Sequence, residues 1–148
     1  MIVGRFGNTT GRPYVSGRLL LPRIQASTNL SFLVDTGADS STLMPTDAIK
    51  MGIDHNSLID PTVVSGIGGD AACFQETAVI VFDEPNRNLA QYYFITMLIP
   101  AVHQDLMKMP SILGRDILDR WRMNYDPSRN GLKFTVRSAD HTVKVASP

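Results

Sequence analysis

A single cysteine, Cys73, stands among the 148 residues. One cysteine excludes an intramolecular disulfide and any zinc site built on cysteine ligands. Excess charge is missing too, because 14 Lys and Arg balance 14 Asp and Glu. Proteins that hold nucleic acid electrostatically concentrate positive charge, so no nucleic-acid partner is expected. The longest apolar runs, Ala78–Phe82 and Phe94–Pro100, fall short of the roughly 18 residues that span a bilayer. Met1–Gly7 has no continuous apolar core followed by a small-residue cleavage site, so no secretory signal is read. The expectation is a cytoplasmic chain with no membrane span. Three histidines, His55, His103 and His141, share no metal-ligand spacing. Neither a metal nor another cofactor is expected.

What the chain does have is enough apolar side chain for a core. Apolar residues make up 43% and charged residues 19%, which excludes a disordered chain and a coiled coil. The length fits one domain, residues 1–148, able to bury roughly 68–70% of its unfolded surface. Nine prolines and 11 glycines cut it into short pieces, most with strand chemistry. Tyr14–Leu21, Ser31–Val34, Thr77–Phe82, Gln91–Ile99 and Thr142–Val145 read as strands. Met123–Asp126 and Leu132–Val136 flank Asn130-Gly131, which suits a hairpin turn. Only two short helices are predicted. One is Pro45–Gly52, with Pro at its start and Gly at its end. The other is Gly114–Trp121, where Ile117, Leu118 and Trp121 share a face. Two short helices in a field of strands make an all-β fold.

Three segments carry the chemistry. Phe32-Leu33-Val34 leads directly into Asp35-Thr36-Gly37-Ala38-Asp39. Taken alone, Asp-Thr-Gly also suits a plain polar turn. About thirty residues on, Val64-Ser65-Gly66-Ile67-Gly68-Gly69 has the three glycines of a hairpin tip that must approach a ligand closely. Then Ser111-Ile112-Leu113-Gly114-Arg115-Asp116 runs an apolar pair and a glycine into a short helix.

In this order the three segments resemble the retropepsin-like aspartic proteases, a family that includes the retroviral proteases and the protease-like domain of DNA-damage-inducible ubiquitin shuttle proteins. The resemblance runs from about residue 14 to residue 136. It implies an acid-protease β-barrel with one or two short helices, and a flap hairpin over a cleft at a homodimer axis. The extra length between flap and helix is assigned to Asp83–Asn88 and Ala101–Pro110.

The chain holds one Asp-Thr-Gly, whereas the chemistry needs two carboxylates sharing a proton. Resemblance and chemistry together imply a symmetric homodimer with one Asp35 from each subunit, cutting an extended peptide or protein substrate. By the same resemblance Asp35 is the catalytic acid and base, with Thr36 bonding across the axis and Gly37 exposing its carbonyl to substrate. Ala38 stands where pepsin-like enzymes have Ser. Losing that hydroxyl implies a mildly acidic optimum. Asp39 is expected to bind substrate backbone and pair with Arg115. Gly66, Ile67, Gly68 and Gly69 form the flap, with Ile67 at its tip. Gly114 and Arg115 support the site.

Other residues have plainer readings. Cys73 is taken as a small buried side chain, Trp121 as core, and the run Asp116, Asp119, Arg120, Arg122 as a solvated helix face. Ser40, Ser41 and Thr42 have no partnered histidine and suggest no serine enzyme. Two rivals to an active protease remain. One is a catalytically weak dimer of the same fold that binds or scaffolds peptides. The other is a dormant precursor whose leader, Met1–Pro13, or tail, Ser138–Pro148, awaits removal.

Overall fold

In the computed structural model, residues 1–66 and 69–146 are described, Gly66 by its backbone alone. Eleven strands and two short helices follow one another among these residues. The strands are β1 (Ile2–Val3), β2 (Arg5–Phe6), β3 (Pro13–Leu21), β4 (Ala26–Val34), β5 (Pro61–Gly66) and β6 (Gly69–Glu84). Then come β7 (Leu89–Pro100), β8 (Ile112–Leu113), β9 (Trp121–Asp126), β10 (Gly131–Val136) and β11 (His141–Lys144). Helix α1 is Pro45–Lys50 and α2 is Arg115–Leu118. No described helix is long and apolar enough to cross a membrane.

The larger sheet runs β11-β7-β6-β3-β4-β8, with β2 on β3 and β5 on β6. The smaller runs β1-β10-β9. Named strands do not close the larger sheet into a barrel, but the segment after the Asp35 loop spans the gap. Thr42 and Ile112 exchange backbone hydrogen bonds at 2.9 Å, while the Leu43 N–H donates to the Leu98 carbonyl at 2.8 Å. Residues 41–43 thereby tie β8 to β7.

Alternation sets the core. Along β4, Leu30, Phe32 and Val34 are buried while Ser31 is exposed, the period-2 pattern of a strand covered on one face. The aromatic centre stacks Phe82 edge-on to Trp121 at 4.8 Å and Trp121 on Phe134 at 5.0 Å. Gly17 makes room for this cluster, since a Cβ there would meet the Phe82 ring at 2.7 Å. Cys73 and Trp121 are both buried.

Several expectations needed extension or correction. Strands β4 and β6 are longer than Ser31–Val34 and Thr77–Phe82. The predicted second helix stops at Leu118, and Trp121 opens β9 instead of sharing its face. The N-terminal leader and the C-terminal tail are built into the sheets: β1 pairs with β10, β2 with β3 and β11 with β7. The 127–131 hairpin turns through a 3-10 segment, Pro127–Arg129, with Asn130 alone at positive φ. The same device recurs at Pro22–Gln25 and Pro85–Asn88. Each opens on proline, and each puts its fourth residue near φ +52° with an N–H returned to the proline carbonyl. The Asp83–Asn88 segment is thus a hairpin turn, and 101–111 is a loop with a 3-10 turn at Gln104–Leu106.

Candidate active site

Asp35 leaves the end of β4 beside the parallel strand β8, donating its N–H to the Leu113 carbonyl at 3.1 Å. Its Oδ1 accepts the Gly37 N–H at 2.9 Å, and its carbonyl accepts the Ala38 N–H at 3.2 Å. This Asx-type turn is what an aspartate followed by glycine favours. Asp35 is half-buried, while Thr36 and Gly37 form an exposed apex. A Cβ on Gly37 would stand 3.2 Å from Asp35 Oδ1, so glycine keeps space beside the carboxylate.

The far side of the loop is bolted to the start of α2. The Ala38 carbonyl accepts the Arg115 N–H at 2.8 Å, and the Asp39 carbonyl accepts the Asp116 N–H at 3.2 Å. Gly114 sits against the loop backbone. A Cβ there would lie 2.7 Å from the Ser40 carbonyl carbon and 2.9 Å from the Ala38 oxygen. The expected Asp39–Arg115 ion pair forms through Arg115 Nη2 and Asp39 Oδ1. It is solvent-exposed, with 85% of the Asp39 side chain accessible.

Two residues that sequence reasoning passed over hold this junction. Asp116 is no solvated helix-face residue. Its Oδ2 accepts the Ser41 N–H at 2.9 Å and its Oδ1 accepts the Ser41 hydroxyl at 2.7 Å. Ser41 Oγ in turn accepts the Gly114 N–H at 3.0 Å. The available signal was an acid in the first turn of a four-residue helix. Nothing in the sequence named its partner 75 positions away.

Gly66 and Gly69 pair across the end of the β5–β6 hairpin, and Gly69 adopts φ +103°. The Ser65 hydroxyl donates to Asp70 Oδ1 at 2.6 Å just behind them. Ile67 and Gly68 lie outside the described residues. Among the described residues no hydrogen bond joins this hairpin to the Asp35 loop. A groove of 560 Å³ runs between Gly69–Ala72 and the 101–106 loop. Cys73, behind the hairpin, is buried in apolar surroundings that push its thiol pKa up.

A β fold that presents Asp-Thr-Gly at a strand end, braced by a glycine-led helix, has the architecture of an aspartic protease. The chain belongs to the retroviral aspartyl protease family, which matches residues 14–125. A retropepsin-like aspartic protease from Rickettsia conorii has a similar structure at 21% identity. That match covers 90% of this chain and 88% of the other, with a TM-score of 0.56. EIAV protease in complex with the inhibitor HBY-793 aligns over 76% of this chain and 90% of its own, at 24% identity and a TM-score of 0.47. No curated protein matches the chain.

Proposed function

We propose that the protein is an aspartic endopeptidase that works as a symmetric homodimer. One observation carries the reading: the chain supplies a single Asp35, set in an Asp-Thr-Gly turn whose apex is exposed. An exposed apex leaves that turn free to meet its copy across a two-fold axis. Two carboxyl groups brought together cannot both ionise easily, so they hold one proton between them. The ionised Asp35 takes a proton from water as the water oxygen attacks the peptide carbonyl carbon. The protonated Asp35 of the other subunit gives its proton to the carbonyl oxygen. Collapse of the tetrahedral intermediate breaks the C–N bond: one of its hydroxyls returns a proton to the carboxylate that had given one, and the amine leaves with the proton that the first Asp35 took from water.

Supporting roles follow from position. Gly37 leaves room beside the carboxylate. Thr36, at the apex, faces the partner loop. Ala38 offers Asp35 no hydroxyl, which favours a mildly acidic optimum over a strongly acidic one. Asp39 binds substrate backbone while Arg115 orients it. The β5–β6 hairpin acts as the flap over an extended peptide.

The deciding experiment compares cleavage of a peptide library by wild type and Asp35→Asn across about pH 4–7 and a range of enzyme concentrations. Wild type should cut, Asp35→Asn should not, and specific activity should rise with concentration as the dimer forms. A protein shown to be dimeric by ultracentrifugation that cuts nothing would remove the protease reading.

A further inference from the structure

A groove of 460 Å³ lies against β4. Its walls are Arg12 and Tyr14 of β3 and its lead-in, Thr28–Ser31 of β4, Thr46, Asp47 and Lys50 of α1, and the 107–110 loop. Three cations line it, Arg12, Lys50 and Lys108, all exposed. Among the described residues none of them takes part in an ion pair, although six ion pairs of arginines or the N-terminus form elsewhere. Among the described residues one acid stands in the wall, Asp47, whose Oδ2 accepts the buried Ser111 hydroxyl at 2.6 Å. In a chain of zero net charge, three cations against this one carboxylate leave the concave surface locally positive. Met107 and Met109 also line it and are partly exposed, offering adaptable apolar contact beside the cations.

The groove is tied to the candidate site through the backbone. Tyr14 pairs with Leu33, two residues before Asp35, and the Leu33 N–H donates to the carbonyl of Ser111, which follows Pro110 of the groove wall.

We propose that this groove is an exosite for an acidic segment of a polypeptide substrate, flanking the bond to be cut. Carboxylates of the segment pair with Lys50, Lys108 and Arg12, and its apolar side chains rest on Met107 and Met109. A polypeptide fits better than a nucleic acid. Three cations with thioether neighbours make a short mixed surface, whereas nucleic acid asks for a continuous basic track and aromatic stacking platforms. The inference rests on the protease reading only for calling the segment part of a substrate.

Binding is tested apart from turnover. Asp35→Asn protein is titrated into a fluorescein-labelled peptide alternating Glu and Leu, a matching Gln and Leu peptide, and an oligonucleotide of equal charge. The Glu peptide should bind best, and more weakly as salt shortens the reach of charge. Lys50→Glu with Lys108→Glu should weaken it by about tenfold or more. Both lysines are exposed and, among the described residues, take part in no ion pair, so thermal unfolding of the double variant should match that of the parent. Equal binding of the Glu and Gln peptides, or indifference to the charge reversal, would overturn the exosite. Tighter binding of the oligonucleotide would overturn the polypeptide assignment. If wild type proves inactive while the Glu peptide still binds in this charge-dependent way, the protease reading fails and the exosite stands.

Discussion

Asp116 clasps Ser41 with both carboxylate oxygens, one on the backbone N–H at 2.9 Å and one on the hydroxyl at 2.7 Å. The clasp joins the segment leaving the Asp35 loop to the first turn of α2. Asp116→Ala removes two charge-assisted bonds in a partly buried setting. It should cost about 1.5–3 kcal/mol in urea unfolding. Ser41→Ala should cost about 1–2 kcal/mol, because the Gly114 N–H loses its acceptor. A change below about 0.5 kcal/mol in both variants would mean the clasp is incidental.

Gly114→Ala tests the same junction by volume. The new methyl would press on backbone atoms of Ser40 and Ala38, which cannot rotate away as a side chain can. We expect a loss of about 1–3 kcal/mol, with peptide cleavage falling further than stability because the Asp35 loop is displaced. Wild-type melting and wild-type cleavage in this variant would show that the junction has slack.

Asp39→Asn separates a structural role from a substrate role. The pair with Arg115 is exposed on both sides, and exposed pairs contribute about 0–1 kcal/mol. Stability should therefore hardly move, while KM for an extended peptide should rise severalfold. A large drop in Tm with unchanged KM would reverse this assignment.

Asp140 gives the fold a defined acid sensitivity. Its Oδ2 accepts from Arg120 Nη1 at 2.9 Å and from the Phe94 N–H at 2.8 Å. These bonds, first that to Arg120, outweigh partial desolvation and hold the carboxyl below its ordinary value of 3.8. A depressed folded-state pKa contributes stability that is present above the ordinary value and is lost as pH falls through the folded one. The stability gap between wild type and Asp140→Asn should be full near pH 6 and close between about pH 4 and pH 2. A gap that stays constant across that range would show that Asp140 does not titrate this way.

Much of this was legible because it is local. Alternating apolar residues marked the strands, and Pro45 and Gly52 bracketed α1. The Asp35 turn followed from its Asp-Thr-Gly, and the Asp39–Arg115 pair from the family resemblance. What escaped was nonlocal or chemically disguised. Gln25 takes positive φ although glutamine is a poor choice for it, so the β3–β4 turn was invisible and β4 was read as too short. Trp121 looked like a helix residue at correct spacing, but the chain leaves α2 at Asp119 and Arg120 and the indole enters the core from a strand. There its Nε1–H donates to Tyr93 Oη at 2.7 Å, a partner 28 residues earlier.

Residues 41–43, hydrogen-bonded to β7 on one side and β8 on the other, also decide which part of the molecule opens last. Amides at such a seam are released only when both flanking strands separate, so Thr42 and Leu43 belong with the slowest-exchanging protons of the chain. The exposed apex at Thr36 and Gly37 is five to seven residues away and outside that seam. An exposed edge is thus rooted in the slowest cooperative unit, and a blow to the root is felt as global unfolding, whereas a change at the apex leaves the fold standing.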